Sequence, residues 1–256
     1  MIGRRILLGA ALATPALALG RRAHAAAADW TDTWEAVLRA HVDAQDRVAF
    51  EAIQRDPAAL RSVVEAIAAT APSNAPAQFP TRADRIAYWI NAYNALSMWG
   101  VIQWGIPQRL DLVDRWRFFT RTDREVGGRA ITLDTLETEV IRPIGEERVH
   151  FALNCMVRDC PRLPREAFRA DRLEAQLATA ARAFCTEGRT VRPDPANGRV
   201  WLSAIFEFYS KDFVPAKAPD LIAYVNRWRP TPLPADSRVR FLEYDWTINR
   251  QPAATG

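Results

Sequence analysis

Lysine is almost missing from this chain, and cysteine, histidine and glycine-rich stretches are scarce. Only Lys211 and Lys217 stand among the 34 basic residues, a bias that genome base composition explains more simply than arginine-based recognition. The 11 glycines form no phosphate-cradling loop, which removes the usual signature of nucleotide chemistry. There is no internal repeat, and low complexity is limited to a short Ala/Pro/Ser/Asn stretch from Ala69 to Pro80. The one long apolar run, Ile6 to Leu19, falls short of the ~17 residues needed to span a bilayer.

That run follows Arg4-Arg5 and precedes Ala23-His24-Ala25, the small-x-small form that a signal peptidase cuts. Residues 1–25 therefore read as a twin-arginine secretory leader, and 26–256 as a single domain in the periplasm or otherwise exported. An uncleaved anchor is the alternative, but Pro15 and the small residues suit cleavage, after which no stable membrane insertion is expected. The leader holds Arg4, Arg5, Arg21 and Arg22 and no acid, so the net charge of +4 belongs to it and the remainder balances. Without a basic run interleaved with aromatics, nothing directs the protein to nucleic acid. About 230 mature residues suffice to bury one substantial core.

Apolar periodicity predicts helices over Trp34 to Ala40, Pro57 to Ala69 and Arg82 to Gln103, the last buried nearly all round as the spine of the core. Phe118-Phe119 and Glu125 to Ala130, with Gly127-Gly128 at the turn, suggest a hairpin. Thr132 can cap a helix that Pro143 ends. Val149 to Asn154 reads as a buried strand, Asp171 to Glu187 as an amphipathic helix, and Thr190 to Arg192 with Arg199 to Leu202 as a second hairpin. Ser203 caps a short helix through Phe213, another follows over Leu221 to Trp228, and Phe241 to Trp246 is a closing strand. The fold class predicted is α+β, a helix-rich first half packed on a small, mostly antiparallel sheet.

What the chain does have is one dense segment. His150 to Pro161 holds one of the three histidines and two of the three cysteines. Together with Trp89-Ile90-Asn91-Ala92-Tyr93-Asn94-Ala95, with Leu202-Ser203-Ala204-Ile205-Phe206 to Asp212-Phe213, and with Tyr244-Asp245-Trp246-Thr247-Ile248-Asn249, it resembles the bacterial and plant family known as domain of unknown function 547. The four motifs run in the family's order over nearly the whole mature chain. The resemblance implies a distant relation to papain-like and transglutaminase-like cysteine enzymes, and a fold of that kind. One departure is visible, since the family often has a Glu-His pair where this chain has Glu137-Thr138.

A thiol becomes a nucleophile when an imidazole accepts its proton, and a third group must orient that imidazole. His41 has polar neighbours and reads as a surface residue, which leaves His150 as the base. If residues 150 to 155 are extended, Cys155 lies about 16 Å from His150 on the opposite face. Cys160 can fold back, with Pro161 in the first turn of a helix whose amides would lower the thiol's pKa. Cys160 is thus the expected nucleophile, and Cys155 the alternative if the strand breaks early. Glu137 is the expected orienting group, with Asn91 or Asn94 as alternatives that could equally bond only backbone. Asn154 is a candidate amide donor near the reacting carbon. Asp212 and Asp245 are expected to tie down loops or helix ends.

Two rival uses exist for the cysteines. Export permits a Cys155–Cys160 disulfide, which leaves Cys185 as the odd thiol. His150, Cys155 and Cys160 could ligate zinc, but the short C-x-x-C bite is absent and no fourth ligand is indicated. Ala152 also stands where a zinc deaminase needs an acid. No cofactor or metal is expected. Of the nine tryptophans, Trp89, Trp99, Trp201 and Trp246 read as core, and Trp104 and Trp116 as groove-lining. Two functional readings result. One is an exported cysteine hydrolase or acyltransferase acting on an amide or thioester, whose compartment suits peptide or cell-wall-derived substrates. The other is a non-catalytic binding or scaffold domain carrying a Cys155–Cys160 structural or redox bridge.

Overall fold

The computed structural model describes residues 30–252, so the expected leader lies outside the described residues. Helix α1 (30–41) buries Trp34, Val37 and Leu38, and α2 (Phe50–Arg55) and α3 (Ala58–Ala69) follow. In α3, Leu60, Val63 and Ile67 recur at helical spacing and are all buried. Helix α4 (Arg82–Gln103) starts at a reciprocal cap. Thr81 Oγ1 accepts the Asp84 amide at 3.0 Å, and Asp84 Oδ2 accepts the Thr81 amide at 2.9 Å, which satisfies two amides that a helix start otherwise leaves orphaned. The helix is buried from Ile86 to Met98 without interruption, as its all-round apolar pattern predicts.

Asp111 caps α5 (Leu112–Thr120) by accepting the amides of Val113 and Asp114. Phe118 and Phe119 therefore belong to a helix rather than to the hairpin, which is formed by β1 (Arg124–Val126) and β2 (Arg129–Ile131) alone. Gly127 and Gly128 both have positive φ, the backbone that a two-residue hairpin turn needs. Helix α6 (Leu133–Thr135), capped by Thr132, widens into a π turn over Leu136–Ile141. Pro143 does not stop the chain there. It sits in the opening turn of a 3₁₀ segment, Arg142–Ile144, which Gly145 closes at φ 77°, since proline is tolerated where no amide bond is yet required.

The largest correction falls on Val149 to Asn154. The segment is a 3₁₀ turn over Glu147–Phe151 followed by irregular backbone, not a strand. A short continuous apolar run has no period that tells strand from helix. This one is apolar on every side because it threads between two clusters of buried side chains. Val149 and Ala152 pack with α1 to α6, whereas Phe151 packs with the second half of the chain.

That second half comprises α7 (Leu173–Thr186), β3 (Val191–Asp194), β4 (Arg199–Leu202), α8 (Ala204–Phe208), α9 (Ser210–Phe213), α10 (Leu221–Asn226) and β5 (Arg238–Phe241). The helix expected from Ser203 to Phe213 is broken at Tyr209 into α8 and α9. Strands β3 and β4 form the expected antiparallel hairpin, but β5 joins β4 in parallel. The long return through α8, α9 and α10 supplies the crossover that parallel pairing requires. The closing strand is thus 238–241, and residues 242–246 carry no strand. The class is α+β, with one two-stranded sheet and one mixed three-stranded sheet among the described residues. Among the described residues no helix is long and apolar enough to cross a membrane.

Candidate functional site

A cavity of about 390 Å³ opens at the seam between the two clusters. Its lining includes Glu137 from the π turn, His150 from the 3₁₀ turn, Cys155 and Cys160 from the following loop, and Tyr93 from α4. Tyr209 from the α8–α9 break and Tyr244 near the C-terminus complete this group. The floor is buried, with His150 and Cys160 each 3% exposed and Glu137 9%. The mouth is not.

The cysteine loop is held by buried asparagines and by the C-terminal segment. Asn94 on α4 donates from Nδ2 to the Ala152 carbonyl at 3.0 Å and accepts the Asn154 amide at 2.7 Å. Asn154 in turn donates to the Pro161 carbonyl at 2.6 Å and accepts the Met156 amide at 2.7 Å. Asn91 does the same service further along, donating to the Phe168 carbonyl and accepting the Phe168 amide. Residues 245–249 run beside the loop. The Arg158 amide donates to Thr247 O, the Asn249 amide to Met156 O, and the Asp245 amide to Asp159 Oδ2. Asn91 and Asn154 thus each staple loop backbone through both side-chain groups.

This arrangement delivers donors to one sulfur. Cys160 Sγ accepts the backbone N–H of Cys155 at 3.1 Å and the hydroxyl of Tyr244 at 3.5 Å. Burial pushes the Cys160 thiol up, but hydrogen bonds from the Cys155 thiol, the Tyr244 phenol and the loop backbone outweigh it and hold the thiol below its ordinary value. Donation to Cys160, with burial, moves Cys155 the opposite way, well above the ordinary thiol range. The phenol of Tyr244 is itself driven far upward, by burial first and by the nearby thiols second, so it stays protonated as a donor. No helix begins at Pro161, since the next one is α7. The donors come from the loop and from Tyr244, not from a helix terminus as expected. Cys185, on α7, is buried and pushed up to about 12 by desolvation.

The imidazole is oriented by a residue to which sequence gave another role. His150 Nε2 lies 2.8 Å from Asp212 Oδ2, and Arg142 grips the same carboxylate from Nε at 2.8 Å and Nη2 at 3.0 Å. The His150 hydrogen bond first, and then Arg142, hold the Asp212 carboxyl far below the usual carboxylate range. A carboxylate only accepts, so Nε2 carries the proton and Nδ1 is the basic nitrogen of the neutral ring. The ring stacks on Tyr209 with centroids 4.0 Å apart. Glu137, the expected orienting group, instead accepts the Tyr93 hydroxyl at 3.1 Å and lies beside Tyr209 and Cys155. No hydrogen bond joins His150 to Cys160: Nε2 of the imidazole is taken by Asp212, and the partners of the sulfur are Cys155 and Tyr244. All three cysteines are free thiols.

The remaining expectations divide. Trp116 lines the cavity mouth, whereas Trp104 packs edge-on against Phe118. Trp246, expected in the core, also lines the cavity. His41 is half-buried. Among the described residues no group of three or more His, Cys, Asp or Glu side chains is placed to hold a metal ion. Tyr93, Tyr209, Asp212 and Tyr244 were missed as site residues. All four lie within or next to the quoted motifs, but nothing in one sequence says which distant motif each would meet.

Residues 77–185 match the family described as Protein of unknown function, DUF547. The DUF547 segment covers Tyr93, Asn94, Glu137, His150 and both thiols of the cavity, and it ends before Asp212 and Tyr244. No curated protein and no solved structure matches the chain. The DUF547 resemblance is thus met, while the papain-like or transglutaminase-like fold it implied gains no support beyond the α+β class.

Proposed function

We propose that the cavity is a cysteine-dependent acyl-transfer site in an exported protein, with a thioester carbonyl as the favoured electrophile. The observation that carries this reading is the sulfur of Cys160, which receives the Cys155 amide at 3.1 Å and the Tyr244 hydroxyl at 3.5 Å on the wall of a cavity. Donors of this kind stabilise a thiolate before substrate arrives. The thiolate attacks the carbonyl carbon, the carbonyl pair moves to oxygen, and collapse expels the leaving thiolate to give an acyl-Cys160. A departing thiolate needs no proton, whereas a departing amine does. With no hydrogen bond from the imidazole to the sulfur, the site suits a thioester better than an amide. His150, with Nε2–H anchored on Asp212, takes the proton of the water or amine that removes the acyl group. Export rests on the Arg4-Arg5 leader pattern, and peptide or cell-wall-derived acyl donors fit that compartment.

Incubation with a simple acyl thioester, followed by intact mass and peptide mapping, tests the reading. One acyl group should appear on Cys160, vanish in Cys160→Ala, and persist longer in His150→Ala because deacylation is slowed. An adduct that survives Cys160→Ala, or no adduct with any thioester, rejects it.

A second reading draws on the proximity of the two thiols, Cys160 being held below its ordinary value and Cys155 above its own, each partly by the other. A hydroperoxide would convert the Cys160 thiolate to a sulfenic acid with release of an alcohol, and the Cys155 thiol would then displace water to close a disulfide. Loss of two hydrogens after peroxide treatment, absent in Cys155→Ala, would favour it.

A further inference from the structure

Among the described residues few large apolar side chains are exposed, and they are not scattered. Those of the described residues are Leu112 (73%), Val113 (54%), Trp116 (51%) and Phe208 (51%), and all but Val113 line the mouth of the thiol cavity. Isolated exposed apolar residues need no explanation, but a group gathered at the entrance to a cavity marks a surface built to be covered. The gathering has a cause in the local structure. Leu112, Trp116 and Phe119 fall at i, i+4 and i+7 of α5, which puts them on one face. Ile205 and Phe208, at i and i+3 of α8, bring a second apolar face to the same cavity.

Two charged side chains, Arg115 and Asp134, also line the cavity. Arg115 lies over the Trp246 ring at 4.5 Å, and Arg121 over the Trp116 ring at 4.5 Å, so both guanidinium groups brace aromatic rings. Phe208 packs on Tyr244 at 5.6 Å, the residue whose hydroxyl reaches the Cys160 sulfur. Apolar side chains thus share the cavity lining with the thiol, and Glu137 and His150 of the same lining are buried. A volume of about 390 Å³ is at the small end for ligand pockets.

We propose that the acyl group taken by this site is apolar, an aliphatic or aryl chain lying across Leu112, Trp116 and Phe208 with its carbonyl at Cys160. This rests on the acyl-transfer reading of the cavity. Thr120, Asp134 and Arg115 of the same lining could serve a glycan, whereas the exposed Leu112, Trp116 and Phe208 offer it only the Trp116 indole N–H.

The test separates binding from chemistry. Unreactive straight-chain amides, from acetamide to octanamide, compete with iodoacetamide for Cys160 in the purified mature protein, and N-acetylglucosamine serves as the sugar probe. Each fully buried methylene strengthens binding by about fourfold, so octanamide should protect at concentrations at least tens of times lower than butanamide. Trp116→Ala and, separately, Phe208→Ala should flatten that dependence, with a thermal melt to show that each folds. Equal protection by acetamide and octanamide overturns the inference even if thioesters acylate Cys160. Protection by N-acetylglucosamine in place of octanamide overturns it as well. Graded protection with no acyl adduct from any thioester leaves an apolar ligand site and overturns its assignment to an acyl group.

Discussion

Replacing Tyr244 by phenylalanine should raise the pKa of Cys160 by about one unit. The phenol donates to the Cys160 sulfur at 3.5 Å, and a hydrogen bond to a charged group contributes about 1.5 to 3 kcal/mol. The long donor-to-sulfur distance argues for the low end, and about 1.4 kcal/mol corresponds to one pKa unit. The sign follows from which form is stabilised. The hydroxyl donates to the thiolate and holds the thiol pKa down, so its loss raises that pKa and shrinks the thiolate fraction at any pH below both values. The ring itself is retained, and with it the packing on Trp246 at 4.7 Å and Phe208 at 5.6 Å. Iodoacetamide alkylation of Cys160, followed across pH with peptide mapping, reads the effect. The rate should fall about tenfold at pH values below the midpoint and recover at the alkaline plateau. An unmoved midpoint, or one that falls, would show that the phenol does not stabilise the thiolate.

Asp212→Asn removes a carboxylate that takes hydrogen bonds from His150 and Arg142, and should cost about 2 to 4 kcal/mol at neutral pH. The folded pKa of Asp212 is depressed, so its stabilisation is complete above the unfolded carboxylate value of about 3.9 and is lost as pH falls toward the folded value. Urea unfolding should show the gap between parent and variant narrowing below about pH 4, and a gap constant with pH would refute the linkage. Asn94→Leu leaves the buried Ala152 carbonyl and Asn154 amide without partners, a loss of about 2 to 4 kcal/mol. A cost under about 1 kcal/mol in the same assay would mean that the loop is held by other contacts. Gly127→Ala should destabilise more than Gly128→Ala, although both residues have positive φ. A Cβ at Gly127 would come within 2.8 Å of Ala71 Cβ, whereas nothing lies within 4 Å at Gly128. Equal shifts in melting temperature would show that the backbone, not the close approach, sets the cost.

Helices with a regular apolar period were legible in the chain. The all-round burial of α4, the cap at Thr132, the Gly127-Gly128 turn and the β3–β4 hairpin follow from local rules acting over a few residues. The segment around the thiols was legible as chemistry but not as shape. Its apolar run fits strand and 3₁₀ turn equally well, and only packing between two clusters decides which forms. The parallel seat of β5 and the broken helix at Tyr209 were hidden for the same reason, since each depends on where a distant element returns.

By itself the sequence determined that a thiol pair and one histidine share a short segment, and that α4 is the helix around which the first half packs. Tertiary structure alone decided the partners. Asp212 stands 62 positions from His150, and Tyr244 stands 84 from Cys160. Periodicity and capping act over one or two helical turns, but the groups that set the charge of a buried thiol or fix an imidazole act through contacts of about 3 Å. Such contacts are made by residues that are neighbours only once the chain has closed on itself.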